Sequence, residues 1–242
     1  MKLPGKRALV TGSGKGIGRG IALSLAEAGA DLFLHYRSNP EEIEFLSKEV
    51  SEMGREVHIF RADLANDKEL DAMFSEIKSI WGGLDIAVNN AGWDPGFMPL
   101  EDINSEMYSR LSEINIKGTL FCCLKEIDLM RGNEKGGSII NVGSVQQDTS
   151  VPGRTLYAMS KGAIHAMTGQ LSLEAGPLGI RINNMAPGYI EVERMSNVPG
   201  FDRDAVAKDI PVGRLGNVKD TGELAVFLAS DASSFITGQT LV

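Results

Sequence analysis

At 242 residues and a formal net charge of −8, the chain can bury a substantial core, as one α/β domain or two small ones, and lacks the basic excess of a nucleic-acid binder. Its apolar runs are short and broken by charge or glycine, so no transmembrane helix fits, and Met1 to Arg7 leads into a strand without room for a signal peptide. The adjacent Cys122 and Cys123 can build neither a disulfide framework nor a zinc site. They read as buried small hydrophobes in a reducing cytoplasm, and no metal site is expected.

Arg7 to Val10 is predicted as a short apolar strand, followed by Thr11-Gly12-Ser13-Gly14-Lys15-Gly16-Ile17-Gly18 and a helix through Ala28. A strand, a glycine-rich turn and a helix form a dinucleotide setting. Glycine lets backbone approach a pyrophosphate, and the helix N-terminus offers free N–H groups. The second strand, Asp31 to His35, ends in Tyr36-Arg37-Ser38, where an adenine ribose lies in such folds. An acid there would bind a ribose 2′-hydroxyl. Arg37 instead offers a guanidinium suited to phosphate, and Lys15 adds a second cation, unless both are simply solvated. Asn39-Pro40-Glu41-Glu42 reads as an N-cap, a proline at the first helical position and a capping-box glutamate, with the helix running to Met53.

A third strand, Glu56 to Phe60, leads to Ala62-Asp63-Leu64, and Asn66 or Asp67 caps a helix to about Trp81. Leu84 to Val88 is a buried fourth strand ending in Asn89-Asn90-Ala91-Gly92. Small Ala91 and Gly92 permit close approach of a ligand, and Asn89 can bridge neighbouring strand ends. Trp93, Asp94 and Phe97 follow, either shaping a pocket or covering the core. A helix is predicted over roughly Ser105 to Met130, in which Asn115 needs a reason, because a buried polar group must find partners.

Ser138 to Val142 is a further strand, breaking at Gly143 into a polar loop with Ser144, Gln146, Gln147 and Asp148. A helix from about Thr155 to Ala175 carries Tyr157 and Lys161 one turn apart on the same face. An unperturbed tyrosine ionises near pH 10, and a nearby cation favours its phenolate. Bringing that ionisation to neutral pH takes about 4 kcal/mol of electrostatic work. Ser144 could bond a substrate oxygen alongside Tyr157. Gly179 to Met185 is a sixth strand, followed by Ala186-Pro187-Gly188-Tyr189-Ile190. Residues 191–211, with Glu191, Glu193, Arg194, a Pro199-Gly200 break and Phe201, read as a substrate lid. A helix from about Lys219 to Ala229 and a strand from Gln239 close the sheet.

Strands and helices alternate throughout, which indicates a doubly wound parallel sheet with helices on both faces. The notable motifs all fall at strand carboxyl ends, where ligands bind in such sheets.

Tyr157-x-x-x-Lys161 with Ser144 upstream, the Gly12-x-x-x-Gly16-x-Gly18 spacing and Asn89-Asn90-Ala91-Gly92 together resemble the short-chain dehydrogenase/reductase family, nearly end to end. The resemblance implies a single Rossmann-type domain of about seven strands over residues 1–242. It implies reversible hydride transfer between a nicotinamide cofactor and a secondary alcohol or carbonyl, with Asn115, Ser144, Tyr157 and Lys161 as the catalytic set. Tyr157 would act as acid–base and Ser144 would hold the oxygen. Lys161 would lower the tyrosine pKa and hold the nicotinamide ribose, and the Asn115 main-chain carbonyl would hold a water linking the lysine to solvent.

Cofactor contacts implied in the same way are Gly12, Ser13, Lys15, Gly16, Ile17 and Gly18 in the first turn, then Tyr36, Arg37 and Ser38. Asp63 and the Leu64 backbone would meet the adenine, although Asp63 could equally be an ordinary loop residue. Asn90, Ala91 and Gly92 continue the surface, and Tyr157, Lys161, Pro187, Gly188 and Ile190 lie beside the nicotinamide end. Lys15 and Arg37 point to NADP(H), with NAD(H) the alternative. Val192 departs from the family pattern, in which a threonine hydroxyl meets the carboxamide.

Ser144, Gln146, Tyr157 and Trp93 are the expected substrate contacts. Ser144-Val145-Gln146-Gln147 with Pro152 is similar to members that oxidise sugars such as glucose, which implies a sugar or polyol substrate. The alternatives are a 3-oxoacyl carrier-protein thioester reductase and a non-enzymatic NADP(H)-binding regulator. Relatives assemble mostly as homotetramers through long helices, and the apolar stretch 112–130 is compatible with such an interface or with packing on the sheet. The resemblance also implies an Asp-Gly-Gly tail beyond Val242, so either the sequence is shortened or the protein lacks that tail.

Overall fold

A computed structural model describes residues 2–193 and 201–242. Seven parallel strands form one sheet in the order β3-β2-β1-β4-β5-β6-β7. They are β1 (Arg7–Val10), β2 (Asp31–Tyr36), β3 (Val57–Arg61), β4 (Ile86–Asn89), β5 (Gly137–Val142), β6 (Ile180–Met185) and β7 (Thr240–Leu241). The connecting helices are α1 (Gly16–Glu27), α2 (Pro40–Glu52), α3 (Asp67–Trp81), α4 (Ser105–Leu111), α5 (Thr119–Met130), α6 (Thr155–Ala175), α7 (Arg203–Lys208) and α8 (Val218–Ala229). This is the expected α/β architecture. Among the described residues no helix is long and apolar enough to cross a membrane.

Alternation along the strands divides the core between the two faces of the sheet. Ala8, Val10, Leu32, Leu34, Val88 and Ile140 pack with Ile21 and Leu25 of α1, Ile43 and Leu46 of α2, and Ala225 and Leu228 of α8. Leu9, Phe33, Ala87, Ile139 and Ile182 pack on the other side with Met73 and Ile77 of α3, Cys122 and Cys123 of α5, and Leu171 of α6. Both cysteines are wholly buried, as expected of small core hydrophobes.

Buried polar groups stitch the centre of the sheet to the helices below it. Asn89 Nδ2 donates to Asn141 Oδ1 at 3.0 Å and to Glu126 Oε2 at 2.9 Å, and Asn141 Nδ2 donates to Thr168 Oγ1 at 3.0 Å. The amide of Asn89 therefore bridges β4 and β5, as its position suggested. Burial pushes the Glu126 carboxyl up to about 8, the Asn89 bond opposing it.

Three local expectations change. Asn39 takes the left-handed conformation (φ 63°) and its side chain makes no capping bond, so the proline starts α2 without the capping box. The single helix expected from Ser105 to Met130 is divided by a π-helical segment, Ser112–Gly118, that carries Asn115. The lid contains α7, capped by Asp202 accepting from the backbone N–H of Asp204 and Ala205. The lid residues Arg194, Pro199 and Gly200 lie outside the described residues.

Candidate active site

β1 lies between β2 and β4, so the chain leaves the sheet in opposite directions on either side of it, and a crevice opens at the carboxyl ends. The crevice is a cleft of about 960 Å³. Its floor is the turn from β1 into α1, held by short side-chain bonds. Thr11 Oγ1 accepts from the N–H of Asn90 and of Ala91, both at 3.0 Å, and Asn90 Nδ2 donates to the carbonyls of Thr11 and Gly12. Gly12 N–H donates to His35 Nδ1 at 3.1 Å, and His35 Nε2 bonds the Ala62 carbonyl at 3.0 Å. Burial lowers the His35 pKa to about 4, so the ring is neutral and can accept at one nitrogen while donating at the other. Thr11 and His35 are functional supports that the sequence reading missed. A histidine within an apolar strand was the available signal.

The turn is shaped to receive a dinucleotide. Gly12 and Gly16 have φ of 62° and 54°, and a Cβ on Gly12 would come within 2.9 Å of Ala91 Cα. A Cβ on Gly18 would run into the Gly12 carbonyl and the Asn90 amide. Lys15 occupies the N-cap of α1 without a side-chain cap, which leaves the first-turn N–H groups for an anion.

Of the expected cofactor contacts, Gly12, Lys15, Gly16, Ile17, Gly18, Tyr36, Arg37, Ser38, Asp63, Leu64, Asn90, Ala91 and Gly92 line the cleft. Asp63 also closes its own turn, its Oδ1 accepting from the Ala65 N–H at 3.0 Å. Ser13 does not line the cleft. It is wholly buried, and its Oγ and N–H both donate to the His35 carbonyl. Tyr157, Lys161, Pro187, Gly188 and Ile190 also lie outside the lining. Val145 N–H bonds the Pro187 carbonyl, and Ile190 bridges to Gly216, which draws this loop toward α8. From the same loop, Val192 and Glu193 reach the cleft, Val192 Cγ1 standing 3.5 Å from where a Cβ on Gly16 would be.

The chemical end of the site is formed by β5 and α6. Lys161 is buried, and its ammonium donates to the Val142 carbonyl at 2.7 Å, tying α6 to the end of β5. Burial pushes its pKa down to about 8, with Asp94 pulling the other way, so it remains mainly cationic at neutral pH. Its Nζ is 5.6 Å from the centroid of the half-buried Tyr157 ring. Ser144, extended at the end of β5, accepts from the Gln146 N–H at 3.2 Å, which uses one lone pair and leaves its O–H able to donate. Tyr157 borders a tight recess, too narrow to admit a water molecule, with Pro95, Met98, Ile103 and Leu156.

Asn115 is buried beneath this end. Its side chain accepts from the Trp93 N–H at 2.7 Å and donates to the Trp93 carbonyl at 2.9 Å and to Ser160 Oγ at 3.1 Å. The asparagine thus fixes the loop after β4 to α6. Trp93 both lines the cleft and packs against the small cluster of Met98, Leu111 and Leu156. Gln146 Oε1 accepts from Arg154 Nε at 3.1 Å. Gln147 turns toward β6 and α6, bonding Asn184 and His165.

A family model described as enoyl-(acyl carrier protein) reductase matches residues 12–242. The chain is 33% identical over 237 residues to 3-oxoacyl-[acyl-carrier-protein] reductase FabG of Staphylococcus epidermidis, covering 98% of this chain and 96% of that one. Among solved structures, a short-chain type dehydrogenase/reductase from Mycobacterium marinum superposes with a TM-score of 0.89 at 31% identity, over 100% of this chain and 94% of that one. A gluconate 5-dehydrogenase from Burkholderia cenocepacia in complex with NADP and tartrate gives 0.90 at 34% identity, over 99% and 94%. An NAD⁺-bound xylitol dehydrogenase gives 0.91 at 29%, over 100% and 98%.

Proposed function

The chain belongs to the short-chain dehydrogenase/reductase family, as an NAD(P)-dependent oxidoreductase acting on CH–OH groups, and on that premise we propose how its residues divide the work. The observation that carries the reading is α6, which sets Tyr157 and the buried Lys161 at the end of β5 while the glycine cradle lies across the same sheet edge. A bound nicotinamide supplies or accepts the hydride. Tyr157 gives a proton to the carbonyl oxygen in reduction and removes one from the alcohol in oxidation. Ser144 donates to that oxygen and favours its developing charge. Lys161 supplies the positive potential that favours the phenolate. The Asn115 side chain holds the π segment and the Trp93 loop in register, and its main-chain carbonyl would hold the water that links Lys161 to solvent.

We assign NADP(H) as the preferred cofactor because Lys15 and Arg37 line the adenine-side end of the cleft, and no acid stands at the tip of β2. The expected substrate is a sugar or polyol. Support comes from the likeness to gluconate 5-dehydrogenase and xylitol dehydrogenase, and from the polar groups of Asp94, Arg154 and Gln146 beside Tyr157. The second reading is reduction of a 3-oxoacyl thioester, favoured by the FabG relative. The protein is read as a cytoplasmic homotetramer, with exposed Phe121 and Leu124 of α5 on the contact face. Sedimentation should then give a tetramer that Phe121→Asp dissociates, and a monomeric parent protein would remove this assignment.

The deciding assay follows NADP⁺ reduction across aldoses, polyols and aldonates, beside NADPH oxidation with an acetoacetyl thioester. Turnover of the first group alone supports the sugar reading, and thioester turnover alone moves the protein to the second. Tyr157→Phe should lower turnover by about 10²–10⁴-fold while NADPH still binds. Retained turnover in that variant refutes the acid–base assignment.

A further inference from the structure

A largely buried ion pair, its arginine buried and its aspartate half-buried, stands against the face of Tyr157. Arg154, which precedes α6, is 7% exposed, and its guanidinium grips both carboxylate oxygens of Asp94, Nη1 to Oδ1 at 2.7 Å and Nη2 to Oδ2 at 3.0 Å. With its Nε bonded to Gln146, this one side chain joins the loop after β4, the loop after β5 and the entry to α6. Its guanidinium carbon lies 4.4 Å from the centroid of the Tyr157 ring and 5.3 Å from that of Phe97. A bidentate pair fixes the plane of the guanidinium, and a cation is attracted to the negative face of an aromatic ring.

A buried ion pair is by itself weak evidence of stabilisation, because desolvation offsets the attraction between its members. Its position suggests a different consequence. Among the described residues, the charged groups at this ring include Arg154 from the entry to α6, Lys161 from the next turn of α6 and Asp94 behind Arg154. A fixed cation against a phenol favours the phenolate, and a carboxylate behind that cation moderates it. Taking Tyr157 as the acid–base group as above, we propose that Arg154 is a positioning residue for Tyr157. Clamped by Asp94 and Gln146, it holds the ring, and the Arg154–Asp94 pair sets the potential at which the phenol exchanges its proton.

The test reads Tyr157 ionisation across pH as the near-ultraviolet absorbance difference between each protein and its Tyr157→Phe counterpart. NADPH fluorescence titration checks that each variant retains its fold. Arg154→Met removes the cation and leaves the carboxylate, so the midpoint should rise by about one pH unit. Asp94→Asn removes the carboxylate and leaves the cation, so the midpoint should fall by a similar amount, on the order of one pH unit. Arg154→Lys keeps the charge without the planar fork and should restore the midpoint while kcat stays reduced. Opposite signs are the signature. If both variants move the midpoint the same way, or neither moves it, the pair is a structural tie only. Should Arg154→Met fail to bind NADPH, the fall in Asp94→Asn carries the test alone. Turnover surviving in Tyr157→Phe would sink the acid–base role and leave these shifts standing, so the two failures are separable.

Discussion

Arg37 is exposed at the tip of β2, on the rim of the cleft, where a guanidinium can meet a phosphate without being committed to another partner's geometry. Hydrogen bonds to charged groups contribute about 1.5–3 kcal/mol each, which corresponds to roughly 10- to 100-fold in affinity. Arg37→Asp should therefore lower the NADP-to-NAD ratio of kcat/KM by at least about tenfold. An unchanged ratio would remove Arg37 from the cofactor site. His35, next to this tip, is the opposite kind of residue. It is buried and kept neutral, and it spends both ring nitrogens on the backbone of Gly12 and Ala62. Neither bond is visible in the sequence, because Gly12 and Ala62 belong to separate strand ends that only the sheet brings beside it.

The π segment Ser112–Gly118 is the element that most changes the sequence picture. Helical periodicity runs unbroken through Ser105 to Met130 as text, yet π turns recur at functional sites, and this one carries Asn115 into contact with Trp93 and Ser160. Asn115→Ala would leave the Trp93 N–H and carbonyl without that partner. It should cost about 2–3 kcal/mol in urea unfolding and shift tryptophan emission along with lowering turnover. A variant of parental stability would show that the loop holds itself. Capping was legible at Asn66, which accepts from the N–H of Lys68 and Glu69 as a local motif should. It was not legible at Asn39, where the left-handed backbone needed to leave β2 defeats the same residue pattern.

For the whole molecule, two buried titrating groups make opposite demands on pH. The His35 pKa is lowered from 6.5 to about 4, so the unfolded chain binds the extra proton between these values. His35 stability is therefore fully present above pH 6.5 and is lost, by about 3 kcal/mol, as pH falls toward 4. The Glu126 pKa is raised from 4.5 to about 8, so its contribution is complete below pH 4.5 and is lost, on the order of 5 kcal/mol, as pH rises to 8. The two slopes oppose each other between pH 4.5 and 6.5, and from 6.5 to just below 8, where Lys161 in turn begins to release its proton, the fall from Glu126 dominates. Glu126→Gln should flatten unfolding free energy from pH 6.5 to 8 and expose the His35 rise below. His35→Gln should instead expose a decline that begins near pH 4.5. A Glu126→Gln profile that still falls above pH 6.5 would show that this carboxyl titrates normally.

The sequence alone determined the alternating strand and helix order, the parallel sheet and the placing of its glycine turn, Asn90–Gly92, Ser144, Tyr157 and Lys161 at strand carboxyl ends. These features are set by local periodicity, turn chemistry and short spacings, which are written along the chain. Tertiary structure alone decided which way individual side chains face. Gln147 turns to Asn184 and His165, Ser13 turns inward to β2, and Arg154 meets an aspartate and a tyrosine ring from different segments. Such partners lie far apart in sequence, and a polar side chain commits to whichever complementary group the folded sheet brings within about 3 Å.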